Sequence, residues 1–151
     1  ISYSMMLNLA SVCNAESSEI LWGFITKYTK NNTLDPWMEN LIQKSINYYH
    51  DFIAPYKKYR MPNKNEILAL QSLIIRLSKL EDDVAEEIIQ SEIYEVGKEH
   101  NYDELREWFS TLYETLLGQK QGPRIGSFIS LYGCKKTIEL INMAIKGKLK
   151  N

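Results

Sequence analysis

Ile67, Leu70, Leu73, Ile74, Leu77 and Leu80 recur at steps of three and four, and no stretch of the chain sustains a period of two. That spacing puts apolar side chains on one face of a helix, whereas a half-buried strand needs strict alternation. The pattern returns in Leu105, Trp108, Phe109, Leu112 and Leu116, and in a shorter stripe of Ile138, Ile141 and Ile145. No Asn-Gly or Asp-Gly hairpin turn occurs. An all-α fold follows.

The helix starts carry their own signals. Asn63 with Glu66, Asp83 with Glu86 and Asn101 with Glu104 each pair a capping residue with a Glu three positions on. In such a box each side chain can satisfy an orphan amide of the first turn. Asp35-Pro36 places a capper before a proline at the first helical position, where the missing N–H costs nothing. The reading is helices near 3–13, 16–30, 36–53, 64–80, 84–100, 102–117, 127–132 and 134–147. With 151 residues the chain can bury one sizeable core, so residues 1–151 are expected to form a single-domain helical bundle.

Composition narrows the class. A hydrophobic fraction of 44% and a charged fraction of 25% exclude disordered and collagen-like chains. No apolar run approaches the ~20 residues of a membrane span, so no membrane partner is expected. Two cysteines, Cys13 and Cys134, are too few for a disulfide framework, and a cytoplasmic setting is expected. The first residue is Ile1 rather than Met, and the chain is expected to be a piece of something larger.

The net charge of −1 is unevenly spread. Residues 52–80 carry six basic side chains against Glu66, a balance of +5, and residues 118–151 carry seven against Glu139, a balance of +6. Residues 81–107 between them carry −9. A polarised surface is the expected result.

Catalytic chemistry is hard to find. His50 and His100 lie far from either cysteine, and no metal-ligating pair, P-loop or nucleophile elbow is present. Catalytic, cofactor-binding and metal-binding residues are therefore expected to be absent. Glu81, Asp82, Asp83, Glu86 and Glu87 are read as the acidic start of a helix rather than a catalytic pair.

Two segments look suited to a polyanion. Pro55 and Pro62 bracket Tyr56-Lys57-Lys58-Tyr59-Arg60, where aromatic faces that can stack on unpaired bases alternate with cations that can hold phosphates. The second is Leu116–Phe128, with Gly118, Gly122, Pro123 and Gly126 shaping a loop that holds Gln119, Lys120 and Arg124. Ser127 could cap the helix that follows, leaving its first amides as an anion site beside Arg124. A plain helix-to-helix corner, with Gly118 ending one helix, is the alternative. Lys135 and Lys136 add further cations downstream.

Tyr94-Glu95-Val96-Gly97-Lys98-Glu99-His100, Leu105–Phe109, Leu112–Gln119 and Gly122–Gly133 resemble, in order, the C-terminal region of class I lysyl-tRNA synthetases. Arg60-Met61-Pro62, Glu66 and Ser4–Leu9 fit as well. The resemblance implies an all-helical anticodon-binding domain of the helix-cage type, more distantly similar to the anticodon domains of class I glutamyl-tRNA synthetases. It further implies that the whole enzyme joins lysine to its tRNA, using ATP with magnesium in an upstream Rossmann domain whose signature motifs do not occur here. The partners implied are the anticodon stem-loop of the lysine tRNA and that upstream domain, and a monomer is expected. Local chemistry nominates Tyr56, Lys57, Lys58, Tyr59, Arg60, Gln119, Lys120, Arg124, Lys135 and Lys136 as tRNA contacts, with phosphates held by the lysines of residues 57–60 and 118–150. A helical docking module without RNA readout is the alternative reading.

Overall fold

The computed structural model describes residues 3–13, 18–25 and 36–149, which form eight α-helices and no strand. These are α1 (Tyr3–Cys13), α2 (Ser18–Ile25), α3 (Pro36–Tyr48), α4 (Lys64–Ser78), α5 (Glu86–Glu99), α6 (Leu105–Leu112), α7 (Ile125–Tyr132) and α8 (Cys134–Ile145). Wider π-type turns extend α3 over Tyr49–Ile53 and α6 over Tyr113–Leu117. The expected spans 36–53 and 102–117 thus each end in a loosened turn. The chain divides into two compact units, Ile1–Lys57 and Lys58–Asn151.

In the first unit α1 and α2 pack on α3. Met6, Leu9, Ala10, Leu21, Ile25, Ile42, Ile46 and Tyr49 are buried. The buried Ser45 hydroxyl donates back to the Leu41 carbonyl at 2.9 Å, which removes the cost of a lone polar group inside. Pro36 opens α3 as its first residue; Asp35, the expected capper, lies outside the described residues.

In the second unit α4 packs on α5 and α8, and α5 packs on α7. The expected stripe of α4 turns Leu70, Leu73 and Leu77 fully inward. Trp108 of α6 is buried with its indole N–H donating to the Ile93 carbonyl at 2.9 Å. Gly97 makes that crossing possible, since a Cβ there would come within 2.8 Å of Leu105 and 2.9 Å of Trp108.

The capping box at Asn63 and Glu66 forms in both directions, at 2.9 and 2.8 Å. The other two boxes do not. α5 begins at Glu86 after Ala85, so Asp83 caps nothing and Glu86 with Glu87 supplies the acidic first turn. Asn101 terminates α5 instead of starting α6. It adopts a left-handed φ of 61°, and Asn101 and Tyr102 donate back to Lys98 and Gly97. Asn tolerates this conformation because its short side chain adapts to it. Ser127 lies inside α7, which starts at Ile125, and caps nothing either.

Candidate nucleic-acid interface

The glycine-rich corner is built on Tyr113. The turn Tyr113–Leu117 ends at Gly118, whose φ of 69° is left-handed, and the Gln119 amide donates back to the Tyr113 carbonyl at 3.2 Å. The Tyr113 hydroxyl then crosses the loop and donates to the Pro123 carbonyl at 2.7 Å. A Cβ on Gly122 would lie 2.7 Å from the Tyr113 ring, so the ring and the loop are in direct contact. Burial raises the Tyr113 hydroxyl pKa and keeps it a donor.

Helix ends leave carbonyls without intrahelical partners. Here the incoming segment Lys58–Arg60 takes them up. The Lys58 amide donates to the Gly118 carbonyl at 2.9 Å and the Arg60 amide to the Glu114 carbonyl at 3.2 Å. The two candidate segments therefore meet along their backbones.

Arg60 anchors that meeting. Its Nη1 and Nη2 form a two-pronged pair with the Glu66 carboxylate at 2.8 and 2.9 Å, and Nε reaches Glu114 at 3.1 Å. Glu66 also accepts from the Asn63 amide and the Thr111 hydroxyl, each at 2.8 Å. Burial tends to raise the Glu66 pKa. The bonds from Arg60, Asn63 and Thr111 outweigh it and hold the carboxyl below its ordinary value. The Glu66 bonds raise Arg60 in turn.

The remaining nominated residues separate by environment. Lys58 and Lys120 are exposed and form no ion pair among the described residues. Tyr59 is half-buried. Gln119 is half-buried too, with an amide nitrogen that has no partner among the described residues. Arg124 is exposed, with Nη1 at 3.2 Å from Glu86 and 3.4 Å from Ser127. Lys135 and Lys136 lie exposed on the first turn of α8.

Tyr56 and Lys57 belong to the first unit. Tyr56 is 82% exposed. Lys57 is buried, its ammonium donating to the Ser11 carbonyl in the last turn of α1 at 2.7 Å and sitting 5.6 Å from the Tyr49 ring centre. A cation there satisfies an orphan carbonyl at the negative end of the helix dipole.

One of the first-turn amides of α7 is taken up from within. The Gly126 amide donates to the Gln90 side-chain oxygen at 2.6 Å. A Cβ on Gly126 would lie 2.6 Å from that oxygen and 2.9 Å from the Glu86 carbonyl. Close packing of α5 on α7 fills this helix end.

Within the basic run 118–150, the structure gathers one further pair of cations. Just past α8, Gly147 has a left-handed φ of 70°, and the Lys148 amide donates back to the Met143 carbonyl at 2.8 Å. Met61 packs against Gly147, its sulfur 3.0 Å from where a Cβ would be. The exposed Lys146 and Lys148 are thus brought beside the Lys58–Met61 segment. The sequence signal was a glycine just past the last apolar residue of a helical stripe, between two lysines.

No family model matches the chain, and no solved structure does. Curated relatives do. The chain is 43% identical over 151 residues to a lysine–tRNA ligase of Rickettsia felis, covering 99% of this chain and 28% of the relative. It is 43% identical over 143 residues to that of Rickettsia peacockii and 41% over 145 to that of Rickettsia bellii, covering 93% of this chain and 27% of each relative. The chain spans little more than a quarter of these relatives, in their C-terminal part. Similarity at that level along nearly every residue means that the chain is homologous to the C-terminal part of lysine–tRNA ligases.

Proposed function

We propose that this chain is the anticodon-binding part of a class I lysine–tRNA ligase and recognises the anticodon stem-loop of the lysine tRNA. The observation that carries the reading is the backbone pairing of Lys58–Arg60 with Glu114 and Gly118. It assembles exposed cations and an aromatic ring from two distant basic segments into one surface. Relatives named for joining lysine to tRNA supply the ligand.

In this reading Lys58 and Lys120 neutralise phosphates and Tyr59 offers a stacking face, as does Tyr56 on the first unit. Arg124 is assigned a base edge, Gln119 joins it only if its buried amide nitrogen turns outward, and Lys135 and Lys136 add phosphate contacts along α8. Lys57 and Arg60 act from within, holding α1 and the corner in shape. The whole enzyme would activate lysine with ATP and magnesium in its upstream catalytic domain, as a cytoplasmic monomer. The class I signature motifs for that step do not occur in this sequence, and the chain alone is expected not to aminoacylate.

Titration with the lysine anticodon stem-loop and with one anticodon-substituted control, across salt, tests this. Tighter binding of the cognate loop with a steep fall in salt is expected, because neutralised phosphates release counterions. Equal weak binding of both would remove anticodon readout. Arg124→Ala is expected to cost about 1–3 kcal/mol of cognate affinity if the fork reads a base, and about one unit of salt slope if it holds a phosphate. A second reading, a docking module, is favoured by the aromatic residues Trp37 and Phe52 of the first unit, which are 68% and 60% exposed. Salt-insensitive capture of a protein partner by the chain would support it.

A further inference from the structure

We propose that the end of α8 is a sequence-independent phosphate-binding site, with Lys146 and Lys148 gripping the sugar-phosphate backbone of the RNA stem while the Gly118 corner meets the loop. The inference rests on the reading of the chain as an RNA-binding domain and adds a site to it. Three observations carry it.

The first is placement. Met61 against Gly147 fixes the end of α8 beside the segment that pairs with Gly118. From Lys58 to Met61 the chain can span at most about 10 Å, so the corner and the end of α8 are close enough to lie on one strand of RNA. The second is rigidity. Gly147 is in the left-handed conformation, and the Lys146 amide donating to the Asn142 carbonyl and the Lys148 amide donating to the Met143 carbonyl pin the two lysine backbones. Cations on a fixed backbone lose less freedom on binding than cations on a loose tail.

The third is chemistry. Lys146 and Lys148 are exposed and make no ion pair among the described residues. The guanidinium at this edge, that of Arg60, gives Nε to Glu114 and both terminal nitrogens to Glu66. It has no open fork for a base edge. What remains are ammonium groups, which act as point charges and hold phosphate without reading sequence. Acidic side chains are concentrated elsewhere, in residues 81–107.

The test is K146A/K148A in the full 151-residue chain, measured against the lysine anticodon stem-loop and an anticodon-substituted loop on the same stem. Both lysines are exposed, so an unchanged thermal melt is expected and serves as the folding control. The variant is expected to lose roughly tenfold in affinity for both RNAs and close to two units of salt slope, with the ratio between the RNAs unchanged. The charge reversal K146E/K148E is expected to deepen the loss for both RNAs alike. Wild-type affinity and slope in the alanine variant would overturn the site while leaving anticodon recognition standing. A changed cognate-to-control ratio would also overturn it, by showing that the lysines read sequence. Failure of the wild-type chain to bind either RNA would overturn both proposals.

Discussion

Glu66 is the residue on which most of the corner depends. Its carboxylate joins Arg60, the first turn of α4 and Thr111 of α6, and it is almost wholly buried. Glu66→Gln keeps the shape and removes the charge. A loss of about 2 kcal/mol in unfolding free energy is expected, read by denaturant titration, because hydrogen bonds to a charged group are the stronger kind. The acid response has a definite sign. The folded Glu66 carboxyl titrates below its unfolded value of 4.5, so its contribution is complete above that pH. It is lost as pH falls through the lower folded value, since protonation breaks the pair. Wild type should therefore lose stability faster below about pH 4.5 than E66Q does, and parallel acid profiles would count against this account. Gly126 gives a second residue-level test. A methyl there has no space between Gln90 and the Glu86 carbonyl, so Gly126→Ala is expected to cost about 1–3 kcal/mol by overpacking.

Among the elements, the sequence was a good guide to helices and a poor one to their ends. Period and apolar identity placed α4 and α6 because the stripe on each supplies the buried face, whereas in α8 only Ile141 of the stripe is buried, beside Thr137, Leu140 and Ala144. Caps were less certain for a physical reason. Asp83 and Asn101 lie in an acidic, polar stretch where a capper three residues before a Glu arises readily without a helix beginning there. Asn101 was decided by its left-handed conformation at the end of α5, and α7 by Gln90 reaching in from a neighbouring helix. Neither influence is written locally. Gly118 was legible, because a glycine after an apolar stripe is the common way to close a helix. Gly118→Ala should cost about 1–2 kcal/mol from the left-handed backbone alone, whereas Gly118→Asn should cost less. If the Lys58 pairing matters for RNA, G118A should also weaken stem-loop binding more than G118N does. Equal effects on binding would separate the corner from recognition.

Over the whole molecule, the charge split along the sequence marks where cations concentrate but does not say which of them share a surface. Lys58, Lys120, Lys146 and Lys148 come from three stretches that meet through backbone pairing, the Arg60–Glu114 pair and a methionine–glycine contact. Lys135 and Lys136, nominated for their charge, sit at the other end of α8, about 18 Å away at 1.5 Å per residue. Removing each pair should therefore distinguish two footprints. K135A/K136A is expected to change the salt slope less than K146A/K148A does, and the reverse order would relocate the RNA along α8. A second basic-acidic contrast lies on the same unit, where Arg76 bridges Glu92 and Glu99 across a cavity of about 420 Å³ between α4 and α5. The Glu92 bond and the nearby carboxylates raise Arg76, and the cluster ties two helices together away from the corner.

Lys57 and Lys58 are neighbours in the chain with opposite surroundings, one ammonium sealed against the end of α1 and the other in water. An amine-acylating reagent applied briefly to the native protein should mark Lys58 and spare Lys57. The ratio of the two labels, read on a single peptide by mass spectrometry, then becomes an internal gauge of whether the first unit is folded. RNA bound across the corner should lower the label on Lys58 without touching its neighbour, so one tryptophan-free, dye-free measurement would report folding and occupancy as separate numbers.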